Sequence, residues 1–390
     1  MRGIRIGSLF GIPIKLDLTF LVVLPLFAWL IGSDVANLVT VLNDAFDASL
    51  PVGALTAGST PWLLGAVAAV GLFLCVLLHE FGHSLMAMHY GYEIDSITLW
   101  LFGGVARFTE MPENWRHELL IAVVGPVVSV VLGVVSYAAF RLTPVELATV
   151  GFVFGYLAIT NVALAVFNML PGFPMDGGRV LRALLARSRS HARATQIAAE
   201  VGKGFAFLLG IFGLFANLFL VALAFFIYIG ASSEAQQTVL KAALKGVAVR
   251  DVMTPAAELK TVTEDTSVAE LVERMFRERH TGYPVIRNGD LVGMVTLDDA
   301  REVREVERDA YTVGDVMTRD VTGISPDADA MDAISTMQEH GVGRLPVVDD
   351  DTLVGLISRT DVVTAFNVIQ SRGDTGGFGT AADTSLSDIR

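Results

Sequence analysis

The stretch His79-Glu80-Phe81-Gly82-His83 lies inside an apolar run that begins near Trp62, and no other feature constrains the fold and chemistry of the chain as much. In a helix, residues four apart share a face, so His79 and His83 can grip one metal ion while Glu80, on the adjoining arc, faces a bound water. The pattern is that of a metallohydrolase. Three ionisable groups in a hydrophobic segment are costly in lipid and mark a functional site.

With 390 residues, 53% of them apolar, and a mean hydropathy of +0.56, the chain is too apolar for an ordinary soluble protein and contains a membrane domain. Up to Lys245 there are 14 acidic and 14 basic residues; from Gly246 onward there are 27 and 14, so all of the net charge of −13 sits in the second stretch. A neutral membrane half joined to an acidic soluble half argues against nucleic acid as a partner. Cys75 is the single cysteine, which excludes an intramolecular disulfide and a cysteine-based zinc site.

Arg2, Arg5 and Lys15 precede the apolar run Leu18 to Ile31, which reads as an uncleaved first span. Gly32 to Pro61 carries Asp34, Asp44 and Asp47 and no Lys or Arg, so the positive-inside rule puts this loop outside and the N-terminus in the cytoplasm. A second span, Trp62 to His89, places His79 about 25 Å along it, nearer the cytoplasmic side. Ile94 to Phe108, with its Gly103-Gly104 pair, reads as strand or hairpin. At membrane depth such backbone must be buried in protein or line a cavity, where it offers an edge for an extended peptide; a cytoplasmic hairpin packed on the helices is the alternative.

Further spans are expected at Glu118 to Phe140 and Val145 to Met169, after which Pro171, Pro174, Gly177 and Gly178 break the helix around Asp176. Arg179, Arg182, Arg187, Arg189 and Arg193 mark the next segment as cytoplasmic. Gly204 to Gly230 is one long helix, or part of a pair if the first begins near Ala194 and a turn falls at Ala216-Asn217. The pair makes six spans and leaves both termini cytoplasmic.

From Gly246 the sequence repeats itself. Asp251-Val-Met-Thr254 recurs as Asp315-Val-Met-Thr318, and Tyr283-Pro-Val-Ile286 as Leu345-Pro-Val-Val348. Leu291-Val-Gly-Met-Val-Thr296 recurs as Leu353-Val-Gly-Leu-Ile-Ser358. Offsets of 64 and then 62 residues describe one supersecondary unit used twice. The tail from Ser371, rich in Gly, Thr, Ser and Asp, is expected to be disordered.

A catalytic zinc takes three protein ligands and leaves a position for water. Asp176 is the best third candidate because it follows a span expected to end on the same side as His83; the competing reading is that it only caps or turns the chain.

With HEFGH in the second span and NMLPGFPMDGG after the fourth, residues 1 to 245 resemble the site-2 protease family of intramembrane metalloproteases. The resemblance implies Zn²⁺ held by His79, His83 and Asp176, water activation by Glu80, and a role for Asn168 in positioning substrate or polarising its carbonyl. It also implies a membrane-protein substrate and lipid as surroundings. There is no room for a PDZ domain between spans.

The repeat resembles a pair of CBS domains. In nucleotide-binding members the closing Thr or Ser meets a phosphate and the Asp a ribose, which implies Thr296 with Asp299 and Ser358 with Asp361, and ATP or another adenine nucleotide as regulator. A homodimer through these domains is a further implication.

The expected fold class is therefore a polytopic α-helical membrane domain of about six transmembrane helices with a small membrane-associated β element (1–245), followed by a soluble α/β tandem CBS module (246–310 and 311–370) and a tail (371–390). The expected activity is zinc-dependent cleavage of a membrane-spanning segment. A CBS-regulated ion or metal transporter, or an inactive protease relative, is the alternative.

Overall fold

A computed structural model describes residues 3–100, 103–108, 112, 114–350 and 352–374. The chain divides into two compact units, Met1–Thr238 and Val239–Arg390.

The first unit opens with a hairpin, β1 (Ile4–Leu9) and β2 (Ile12–Leu16), whose turn puts Phe10 and Gly11 at positive φ of 53° and 82°. Then come α1 (Phe20–Ser33), α2 (Val35–Phe46), the single turn α3 (Val52–Leu55) and α4 (Thr60–His89). Strands β3 (Ile94–Trp100) and β4 (Gly103–Phe108) follow, and then α5 (Trp115–Leu142), α6 (Ala148–Asn168), α7 (Asp176–Ala186), α8 (His191–Ala216) and α9 (Leu218–Leu244).

Among the described residues, five helical stretches are long and apolar enough to cross a membrane: α4, α5, Val145–Asn168, α8 and α9. A sixth results if α1 and α2, bent by 69°, count as one span. Here the structure departs from expectation. Instead of a full first span over Leu18–Ile31, α1 has 14 residues, about 21 Å at 1.5 Å per residue, too short alone for a hydrocarbon core of about 30 Å. Within the segment expected to be an outside loop, Val35–Phe46 form the helix α2, and Asp34 at the bend accepts a hydrogen bond from Asn37 Nδ2 at 2.6 Å.

The order of the sheet is β1-β2-β3-β4, with β2 parallel to β3 and the other pairs antiparallel. Phe20 of α1 meets Phe73 of α4 edge-on at 4.8 Å, and Ile31 packs in one cluster with Leu64. The outer part of α4 is thus covered by α1. Farther along, Ile12, Ile14 and Ile97 of the sheet pack against Phe81. The strands therefore stand level with His79–His83, β4 at the edge.

An ion triad ties α5, α7 and α9 together. Arg182 donates to Glu118 through Nε at 2.6 Å and to Glu234 through Nη1 at 2.6 Å, with Arg182 and Glu118 buried. Between α8 and α9, Asn217 makes the turn, its Oδ1 accepting the N–H of Phe219 at 2.8 Å.

In the second unit, the first repeat contains α10 (Val249–Val252), β5 (Thr254–Pro255), α11 (Val268–Glu278), β6 (Gly282–Arg287), β7 (Asp290–Thr296) and α12 (Leu297–Glu302). The second contains α13 (Val313–Val316), α14 (Ala330–Glu339), β8 (Arg344–Asp349), β9 (Thr352–Ser358) and α15 (Arg359–Asp374). The two copies exchange their openings. Thr254 pairs with Leu356 of β9, and Thr318 bridges to Met294 of β7. Val313 and Met317 complete the apolar core around Tyr283, while Leu244 and Val249 complete that around Leu345. The cores therefore do not divide where the repeats do. Helix α15 carries past Ser371 to Asp374; the rest of the tail lies outside the described residues.

Candidate active site

Helix α4 supplies three of the expected residues from adjacent positions on its face. His79 and His83 are each 3% exposed, which a histidine tolerates only if both ring nitrogens are satisfied. On the outer side of the rings, α5 provides the partners: His83 Nδ1 donates to the carbonyl of Ile121 at 2.6 Å, and His79 Nδ1 lies 2.8 Å from Ser129 Oγ. A carbonyl oxygen can only accept, so the neutral His83 ring keeps its lone pair on Nε2.

The inner nitrogens converge with Asp176, the first residue of α7. His79 Nε2, His83 Nε2 and Asp176 Oδ2 are mutually 3.1 Å apart. A single proton satisfies one edge of such a triangle and leaves the others as lone pair against lone pair. A cation at the centre satisfies all three. Tetrahedral zinc with bonds of about 2.0–2.1 Å sets its ligand atoms about 3.3 Å apart, close to the observed edge. The outer hydrogen bonds to Ile121 and Ser129 are the kind that fix ring orientation in metal-ligating histidines. The donor set fits zinc.

Sequence reasoning missed what makes room for this. A Cβ on Gly125 of α5 would sit 2.2 Å from His83 Nε2 and 2.7 Å from His79 Nε2. On Gly104 of β4 it would sit 2.4 Å from Glu80 Cγ. Both glycines let backbone press against the site, and the Gly103-Gly104 pair, read only as a hairpin signal, was the visible trace of one of them. Ser129 and the Ile121 carbonyl had no local signature.

A cavity of about 360 Å³ opens on the triangle. Glu80 lines it and, among the described residues, has neither hydrogen bond nor ion pair, so its carboxylate is free to take a proton. Asn168, at the end of α6, lines the same cavity with its amide likewise unengaged. Residues of β4 form another wall.

The repeat pair has its own cavity of about 680 Å³, lined by Thr296 and Asp299 but not by Ser358 or Asp361. Both Asp residues cap helices. Thr296 donates to Asp299 Oδ2 from N–H and from Oγ1 at 2.7 Å each, and Ser358 to Asp361 Oδ2 at 2.8 and 2.7 Å. One oxygen of each carboxylate is thus committed to the fold. Arg344, also lining the cavity, links the copies by donating to the Gly282 carbonyl at 2.7 Å and Thr281 Oγ1 at 2.8 Å. Burial pulls its guanidinium below the ordinary value, and the Asp361 carboxylate opposes that shift.

Comparison with known proteins places these features. The model of peptidase family M50 matches residues 67–151 and 144–211, and that of the CBS domain matches 249–305 and 313–368. A zinc metalloprotease of Methanocaldococcus jannaschii is 33% identical over 370 residues, covering 94% of this chain and 97% of that protein. The solved site-2 protease of the same organism is 32% identical over 60% of this chain and 95% of its own, with a TM-score of 0.42. CBSX2, a CBS-pair protein of Arabidopsis thaliana solved in complex with AMP, is 34% identical over 32% of this chain and 99% of its own, with a TM-score of 0.29. With 33% identity to a zinc metalloprotease over 94% of the chain and the M50 match spanning both HEFGH and the MDGG segment, the chain belongs to the site-2 protease family, membrane-embedded zinc metalloproteases of peptidase family M50, and carries a CBS domain pair.

Proposed function

We propose that the chain hydrolyses a peptide bond within a membrane-spanning segment of a protein substrate, with His79, His83 and Asp176 holding zinc. The observation that carries this reading is a cation-fitting triangle of donors beside a carboxylate, Glu80, that has no hydrogen bond or ion pair among the described residues. When bound, zinc polarises the substrate carbonyl and makes water acidic enough to attack near neutral pH. Glu80 takes the proton of the attacking water and returns it to the leaving amine. Asn168 donates its side-chain N–H to the oxygen on which charge develops. A helical substrate hides its carbonyls in its own hydrogen bonds, so it must open locally. The edge of β4 supports that opening, because its unpaired backbone groups replace hydrogen bonds the substrate gives up.

In the repeat pair, we infer that an adenine nucleotide occupies the cavity at Thr296 and Asp299 and modulates cleavage, the free carboxylate oxygen of Asp299 accepting from a sugar hydroxyl; Ser358 and Asp361 would play the same part in the second copy. We further propose that both termini lie on the cytoplasmic side, which the basic residues Arg2, Arg5 and Lys15 and those from Arg179 to Arg193 support.

The test is purified protein incubated with a labelled single-span substrate. Cleavage should vanish with a zinc chelator, return with added zinc, and be absent in Glu80→Gln, which should still bind substrate. Wild-type cleavage rates in Glu80→Gln would overturn the mechanism.

A further inference from the structure

Three residues beyond Asp176, on the same side of α7, Arg179 lines the same cavity. Its guanidinium lies over the ring of Phe108, the last residue of β4, with Cζ 5.6 Å from the centroid. Nε and Nη2 are both buried and neither has a hydrogen-bond partner among the described residues. One turn further on, Arg182 shows what a satisfied guanidinium looks like in this fold, bonded to Glu118 and Glu234.

The two unsatisfied nitrogens are not arbitrary. Nε–H and one Nη2–H project in parallel from a single edge of the planar group, a fork whose spacing matches the two oxygens of a carboxylate. A guanidinium cannot shed its charge to escape the cost of burial, so two buried N–H groups with no acceptor among the described residues point to one that arrives from outside. The carboxylates already in the cavity do not fill the role: Arg179 forms no ion pair with Glu80 or Asp176 among the described residues, and Asp176 is engaged by the two histidines. The cation–π contact with Phe108 holds the guanidinium at the end of the edge strand.

We propose that Arg179 is a carboxylate receptor for the product of cleavage. This rests on the hydrolytic reading of the cavity. Hydrolysis breaks the C–N bond, joins the oxygen of water to the carbonyl carbon and hands a proton to the amine. The amino-terminal fragment is left with a new carboxylic acid, which ionises to a carboxylate inside the cavity. The Arg179 fork binds that group through both oxygens; in the uncut substrate the same N–H groups receive a backbone carbonyl oxygen singly. The cleaved fragment should therefore leave slowly and inhibit when supplied from outside.

The test uses the full-length protein in detergent and two amino-acetylated apolar heptapeptides of identical sequence, one ending in a free carboxylate and the other in a carboxamide. The free acid should bind at least tenfold tighter than the amide, with zinc present and after zinc has been stripped. Arg179→Gln should bring that ratio to about one while zinc content stays unchanged, and Arg179→Lys, which keeps the charge but not the fork, should restore part of it. Equal binding of acid and amide by the wild type would overturn the proposal. So would a preference that survives in Arg179→Gln, or one that the wild type loses on zinc removal, since the metal would then be the receptor. The hydrolytic reading fails separately: a protein that cuts no single-span substrate yet prefers the acid peptide through Arg179 keeps the receptor and loses the reaction.

Discussion

Gly125 shows how much of this site depends on an absent atom. A methyl group there would lie inside contact distance of the inner nitrogens of both His79 and His83, where the proposed cation would sit. Gly125→Ala is therefore expected to lower zinc content as severely as His79→Ala or Asp176→Ala, whereas Glu80→Gln should keep about one zinc per chain. Metal analysis of the purified variants checks this, and full zinc content in Gly125→Ala would mean that α5 can draw back. The histidines were legible in the sequence because their spacing is local and their chemistry narrow. Gly125, Ser129 and the Ile121 carbonyl were not, because they meet the histidines from 38 to 50 residues away and glycine, serine and a backbone oxygen carry no motif. Asp299 and Asp361 were legible as the matching endings of the two repeats, but their part in capping α12 and α15 follows from a three-residue spacing that was read only as a ligand site.

Among the elements, α7 carries both Asp176 and Arg182, so the ion triad with Glu118 and Glu234 fixes the helix that presents the third donor. Breaking a buried pair by removing one charge strands the other and costs about 3–5 kcal/mol. Glu118→Gln should show a loss of that order in denaturant or thermal unfolding, and with it a lowered zinc affinity as α7 loosens. Replacing Arg182 by Met together with Glu118 by Leu should recover much of the stability, since the charge then left without its partner, Glu234, is 30% exposed and can be hydrated. An unchanged melting temperature in Glu118→Gln would remove the triad from the account. At this scale the long apolar helices and the turn at Asn217 were readable from length and hydropathy. The N-terminal hairpin was not, because its strands are short and the further partner of β2, β3, lies beyond four helices; the Phe10-Gly11 turn between alternating apolar residues was its one signal. The exchange of openings between the two repeats was hidden for a related reason: a repeat period fixes which residues are equivalent, not which copy they pack on.

For the whole molecule, the spans counted from the structure leave the sidedness of the C-terminal unit to the bent pair α1–α2: counted as one crossing it gives six, and both termini share a side. A cysteine at Asp44 should then label from outside in intact cells and one at Ser371 should not. That sidedness matters because an adenine nucleotide is available to the repeat pair only from the cytoplasm. Given access, linkage sets the expectation without any assumption about how the units touch. A nucleotide that binds one state of the protein better than another must shift the equilibrium between them, and substrate must shift nucleotide affinity by the same factor. A tenfold effect corresponds to about 1.4 kcal/mol of coupling. Asp299→Asn is the informative variant, because the amide oxygen still caps α12 while the charge that would accept from a ribose hydroxyl is gone. Calorimetry on full-length protein should give micromolar-range binding of ATP or a related nucleotide, weakened in Asp299→Asn, with substrate cleavage changing in the wild type over the same concentration range. Nucleotide binding that leaves cleavage unaltered would show that the two states share one affinity and that the pair serves another purpose, such as joining two copies of the chain; its deletion should then change oligomeric state and leave catalysis intact.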